Sequence, residues 1–251
     1  MRIMKLRPLQ RGQQRGLTLV ELMVGITIGL IITAGASMMA VNQIGEHRRI
    51  TIEVQIQQDL RLIADMVAQQ IRRAGFRGWS ELGVWVPELA GGAPTPAIES
   101  TNNPFDALSE SDDGKTLTFV YETNPVLGKT RSDMTSYADD VNDADHGGFK
   151  IEDGELKIQL GRGNWQPISD KSSYRFDSAR SSFKISTQSQ SLEEFCDLPC
   201  NGLADCPPQQ DVRTVTVTLV ATSVLLQDVT RTVQIVERVR SDKIVGVCAK
   251  S

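Results

Sequence analysis

Charge is missing over an unusual length of this chain. From Leu22 to Gly45 no residue is charged, and that length suffices to cross a bilayer as a helix. Proline is missing between Leu17 and Trp85, so nothing there forces a helix to break. Acidic residues are missing from residues 1–16, which hold Arg2, Lys5, Arg7, Arg11 and Arg15. Histidine is reduced to His47 and His146. Neither stands in a motif with a nucleophile, and no glycine loop of the phosphate-cradling type occurs. No enzymatic constellation emerges, and neither a catalytic residue nor a cofactor or metal ligand is assigned. Repeats of solenoid period are absent. Cysteine is absent before Cys196.

The chain is organised around Arg15-Gly16-Leu17-Thr18-Leu19-Val20-Glu21-Leu22-Met23-Val24-Gly25-Ile26. A basic leader ends at a glycine, and an apolar run begins at once. Glu21 sits inside that run. A carboxylate at the head of a membrane segment is costly unless something pairs with it, so it marks a functional site. Two plainer readings exist. The run could be a simple anchor, or the core of a secretory signal with Ala34-Gly35-Ala36 as its cleavage site. The second is weakened by the length from Leu17 to Ala36 and by Glu21, from which a signal peptide gains nothing. Gly25-Ile26-Thr27-Ile28-Gly29 is a G-x-x-x-G that allows close helix approach, although glycine is common in membrane helices generally.

Gly16-Leu17-Thr18-Leu19-Val20-Glu21-Leu22-Met23-Val24 resembles the processing motif of type IV pilins and type II secretion pseudopilins. The resemblance implies cleavage by a prepilin peptidase after Gly16 and N-methylation of Leu17. Phenylalanine is commonest at that position, so Leu17 is a departure. It also implies that Glu21 pairs with a neighbouring subunit's amine on Leu17, favouring assembly and fixing register. Removing residues 1–16 leaves 22 basic against 31 acidic residues, a net charge of −9. That acidity argues against a general affinity for nucleic acid. About 200 residues remain beyond the membrane helix, roughly enough for one domain with a core.

The helix is expected to continue past the membrane. Ile52, Ile56, Leu60, Ile63, Val67 and Ile71 form one apolar stripe at helical spacing. A helix from Leu17 to about Ala74 would measure roughly 87 Å, ending with Gly75 at its C′ position. Many major pilins carry a bending proline about twenty residues into the mature chain, and its absence here leans toward a minor pilin or pseudopilin. Asp59-Leu60-Arg61 and Gln70-Ile71-Arg72-Arg73-Ala74-Gly75-Phe76-Arg77-Gly78 resemble the corresponding stretches of PilW-type minor pilins, which are related to GspJ-type pseudopilins of type II secretion. That group often places a cysteine next, where this chain has Trp79.

Residues 77–114 read as a long glycine-, proline- and acid-rich connection. Strands are expected at 116–121, 149–152, 155–160 and 182–186. The second and third form a hairpin through Asp153-Gly154. Alternation of Val215, Val217, Leu219 and Ala221 with threonines, and of Val229, Val233, Ile235 and Val239 with polar residues, predicts a final hairpin. One antiparallel sheet would then lay a face on the helix stripe. The expected class is α+β, a type IV pilin-like fold: a long N-terminal helix, its first half membrane-spanning, packed on an antiparallel sheet. The expected divisions are a leader at 1–16, a transmembrane assembly half at 17–45, an amphipathic half at 46–76 and a periplasmic β-domain at 77–251.

Four cysteines, Cys196, Cys200, Cys206 and Cys248, fit disulfides of an oxidising compartment rather than a zinc site. Their three possible pairings stay open. Asp139-Asp140-Val141-Asn142-Asp143-Ala144-Asp145-His146-Gly147-Gly148 is dense in oxygen ligands, but EF-hand spacing fails from either Asp140 or Asp143, and it reads as a solvated acidic loop. Arg162-Gly163-Asn164-Trp165, with Lys129 and Arg131, reads as a surface loop with a docked tryptophan rather than a nucleic-acid site. The family resemblance implies partners: prepilin peptidase, an inner-membrane assembly platform, other minor pilins, the major pilin and a large tip adhesin. It implies a single-pass protein of the inner membrane that is then carried into the pilus.

Overall fold

The computed structural model describes residues 16, 18–78, 103–123, 141–202, 206–246 and 248–249. Leu17, most of the 77–114 connection, Lys129, Arg131, Asp139 and Asp140 lie outside the described residues. The chain divides into two compact units, residues 1–50 and residues 51–251. Helix α1, Leu19–Arg73, contributes to both.

In the first unit every described residue from Thr18 to Ile50 is exposed. Leu22, Ile26, Leu30, Ile31, Ile32 and Met38 are among the large apolar side chains left uncovered. A helix apolar on all sides is at home in lipid or among other helices, and this one is long and apolar enough to cross a membrane. Its hydroxyls are satisfied internally. Thr27 donates to the Val24 carbonyl at 2.9 Å, Thr33 to Gly29 at 2.5 Å and Ser37 to Thr33 at 2.8 Å. Such back-bonding leaves no hydroxyl unmet where water is absent.

In the second unit α1 buries Ile56, Leu60, Ile63, Val67 and Ile71, with Ile52 partly buried beside them. The expected stripe is the core face. Ala64 and Ala68 of the helix and Ala74 just after it are buried too. Two ion pairs flank the packed face. Arg231 bonds Glu53, and Arg72 grips Glu237 through Nε at 2.9 Å and Nη2 at 2.7 Å. The helix ends at Arg73. Gly75 follows at φ +76°, a value that favours glycine, and a Cβ there would meet Ser241 Cβ at 2.7 Å.

The strands form two antiparallel sheets rather than the single sheet expected. The first runs in order β1 (Leu108–Glu110), β2 (Thr116–Val120), β3 (His146–Glu152), β4 (Glu155–Leu160) and β5 (Trp165–Pro167). The second is built on β8 (Gln209–Ser223). On one side of β8 lie β6 (Tyr174–Phe176) and β7 (Ser182–Ser191), and on the other β9 (Thr230–Arg238) and β10 (Lys243–Val245). Both expected hairpins form. Asp153 and Gly154 both take positive φ, 55° and 76°, as a two-residue primed turn requires. The final hairpin registers Val217 with Ile235 and Leu219 with Val233.

β3 begins three residues earlier than expected, because the two glycines read as loop. They are needed inside the strand. A Cβ at Gly147 would sit 2.6 Å from the Phe119 ring, and one at Gly148 would sit 2.6 Å from the Leu117 carbonyl. Phe149 then joins the sheets: its ring lies 6.2 Å from Phe119 of β2 and 6.4 Å from Phe183 of β7.

At the turn end of the β3–β4 hairpin, Glu152 accepts from Lys150 at 2.5 Å and Lys157 at 2.8 Å. The Lys150 and then the Lys157 hydrogen bond hold this carboxyl down from its ordinary 4.5 to about 2. A depressed carboxyl contributes stability that is present above its unfolded value and lost as pH falls through the folded one. An NMR titration should place the Glu152 midpoint near 2. In a Lys150→Met/Lys157→Met variant it should return toward 4.5.

Candidate processing and assembly site

Gly16 and Thr18 precede the first turn of α1, and Leu17 between them lies outside the described residues. Thr18 caps the helix. Its Oγ1 accepts the Glu21 backbone N–H at 3.3 Å, and its hydroxyl donates to Glu21 Oε2 at 3.4 Å. Thr-x-x-Glu is thus a capping pair, and the negative charge in the first turn suits the positive end of the helix dipole. One hydroxyl does not neutralise a carboxylate. Glu21 thus sets a carboxyl on an apolar segment whose Thr27, Thr33 and Ser37 hydroxyls are back-bonded. Gly25 and Gly29 have nothing within 4 Å of a would-be Cβ, so both are open to a neighbouring helix.

Two comparisons bear on this segment and the domain after it. The prokaryotic N-terminal methylation motif matches residues 11–37. The family described as prepilin peptidase-dependent protein B matches residues 49–240, most of the chain. The chain belongs to the prepilin peptidase-dependent protein B family. It is a pilin-like or pseudopilin-like protein, and the exposed apolar helix fits a membrane-anchored one. Proteins of these families are structural components rather than enzymes. No curated protein matches the chain at a significant level, and no solved structure does.

The pairing that sequence left open is Cys196–Cys248 and Cys200–Cys206, with Cα separations of 5.4 and 5.3 Å. The first ties the C-terminal residues to the segment that follows β7, and the second closes a short loop before β8.

The acidic segment is not wholly solvated. Asp145 is buried and accepts from the Thr123 backbone at 2.9 Å, the Thr123 hydroxyl at 2.7 Å and the Asn142 backbone at 2.9 Å. Its oxygens brace a turn and are not set out for a cation. Asp143 instead pairs with Arg162 at 3.1 Å. Among the described residues no cluster of His, Cys, Asp and Glu is placed to hold a metal. Arg162 also donates to His146 Nε2 at 2.8 Å. Trp165 opens β5 and covers Gly148, whose would-be Cβ lies 3.3 Å from the indole. The docked tryptophan is therefore strand structure.

One concavity went unread in the sequence. A groove of about 580 Å³ lies beside the end of α1, lined by Arg72, Arg73, Arg240, Asp242 and Lys243 among others. Arg72 is committed to Glu237, and Lys243 to Asp106 at 3.0 Å. Arg73 lies over the Tyr121 ring at 4.4 Å. Basic residues in the last helical turn answer the helix dipole, but Arg240 arrives from the strand side. No sequence period could have brought these residues together.

Proposed function

We propose that this chain is a PilW-type minor pilin of a type IV pilus, acting in the priming of assembly and in the complex at the pilus tip. It enters the inner membrane with its basic leader in the cytoplasm. Prepilin peptidase cuts after Gly16, and Leu17 is methylated. The subunit then joins other minor pilins and the major pilin through the assembly platform. The observation that carries this reading is the Glu21 carboxyl at the head of a run with no other charged residue as far as Gly45, inside the span matched by the methylation motif. In lipid the charge is costly until a cation meets it, and a neighbour's Leu17 amine would supply one. Gly25 and Gly29 would set the helix contact.

Glu21→Val tests this. The variant should still insert and be cut after Gly16, because the cleavage site is intact. Its recovery in sheared fibres should fall by at least about tenfold, as the loss of one charge pairing in lipid implies. Recovery at the wild-type level would remove Glu21 from assembly. A GspJ-type pseudopilin of type II secretion shares this geometry; copurification with minor pilins rather than pseudopilins separates the two.

A further inference from the structure

The outer edge of β9 carries main-chain groups that nothing among the described residues uses. On β8, the Val220 carbonyl and amide bond toward the β6–β7 side, to Asp177 and Ser181. Odd-numbered residues bond toward β9: Val239 donates to the Arg213 carbonyl, and Ser223 to that of Val229. The register Val215↔Glu237, Val217↔Ile235, Leu219↔Val233 then fixes the rest of β9. Its odd residues bond β8, and its even residues point their amides and carbonyls away from the sheet. Those of Thr232, Gln234, Val236 and Arg238 meet no partner among the described residues.

Other edges are blunted. β1 and β5 are three residues each, and β5 ends in Pro167. The first half of β7 is covered, Phe183 donating to the Gly114 carbonyl and Ile185 to the Glu110 carboxylate. The open remainder, Thr187–Ser191, is wholly Ser, Thr and Gln. Among the described edges β9 alone combines length with an outward apolar side chain, Val236 at 62 % exposure. It has no proline or bulge over Thr230–Arg238, and its charged side chains are engaged, Arg231 with Glu53, Glu237 with Arg72 and Arg238 with Asp242. Soluble proteins rarely leave such an edge unguarded.

We propose that β9 receives an extended segment of a neighbouring subunit other than a second copy of this chain by strand addition, in which main-chain bonds hold the segment and side chains choose it. The segment presents an apolar residue to Val236 and an acidic one near Arg240. Arg240, in the link from β9 to β10, lines the groove beside the end of α1 and has no acidic partner among the described residues. Its neighbours are paired, Arg238 with Asp242, Glu237 with Arg72 and Lys243 with Asp106, so the charge of Arg240 sets the sign of what this end receives. The inference rests on the reading of the chain as an assembly subunit.

Hydrogen exchange tests it on the mature full-length chain, alone in detergent and within the assembly isolated from its native membrane. Peptides spanning Thr232–Arg238 should exchange about tenfold more slowly in the assembly, the protection one added main-chain bond confers. Equal exchange in both overturns the proposal. Val236→Pro removes an outward amide and no ladder bond; it should keep both disulfides and leader cleavage yet be lost from the assembly. A Val236→Pro chain assembling at the wild-type level overturns the proposal. So does efficient cross-linking of Gln234→Cys chains to one another, which would make the occupant a second copy. If Leu17 is the mature N-terminus and the edge is unprotected, this inference alone fails. If Leu17 is not the N-terminus, the assembly reading fails first.

Discussion

Phe149→Ala lowers the unfolding free energy of the 51–251 unit by about 3–5 kcal/mol. Phe149 is 0 % exposed. Its ring is the shared neighbour of Phe119 in the first sheet and Phe183 in the second, so truncation opens a void where the two sheets meet. The walls cannot close easily. Gly147 and Gly148 already hold β3 tight against Phe119 and Leu117, and Leu117 is itself fully buried. The upper part of the range is therefore expected. Guanidinium unfolding should show a lower midpoint at an unchanged denaturant slope. A loss below about 1 kcal/mol would mean that the site collapses freely, contrary to packing of this density.

Loss of the Cys196–Cys248 bridge, by Cys196→Ser with Cys248→Ser, should cost up to about 4 kcal/mol on the chain-entropy account. That bridge closes a span of 52 residues, whereas Cys200–Cys206 closes one of 6. The shorter bridge should cost up to about 2 kcal/mol on the same account. The order of the two is the sharper expectation, since strain and residual unfolded structure alter both magnitudes. The 52-residue span contains β8, β9 and β10, so the longer bridge ties the two ends of the sheet's C-terminal half. Thermal unfolding of the two double variants, under non-reducing conditions, gives the comparison. A larger effect from Cys200–Cys206 would contradict this account.

Much of this fold was legible because it obeys simple periods. The stripe from Ile56 to Ile71 repeats at helical spacing, and the burial follows it. Asp153-Gly154 announces its turn because both positions need positive φ. The threonine–valine alternation of β8 and β9 shows which faces are buried. The failures have physical causes as well. Gly147 and Gly148 look like a loop because glycine weakens a strand, yet here close contact with Phe119 and Leu117 demands it. The tail of β7, with no apolar residue from Ser186 to Ser191, follows the register of β8 rather than a pattern of its own. Three-residue strands such as β1 and β10 are too short to show a period at all. Two sheets could not be told from one, since that depends on which strands adjoin.

The processing segment was legible for another reason. Its signal is a single charge set against a long uncharged run, and it needs no tertiary structure. The groove and the β9 edge were not legible. The first gathers residues from a helix end and the link between β9 and β10, and the second depends on which way alternate amides point.

The most direct test of the central claim is the intact mass, with N-terminal peptide mapping, of the protein purified from its native membrane without reductant. The account predicts a chain beginning at N-methylated Leu17, with all four cysteines oxidised. A chain beginning at Ser37 would contradict it, because Glu21, Gly25 and Gly29 would be gone, and with them the helix through which the subunit assembles.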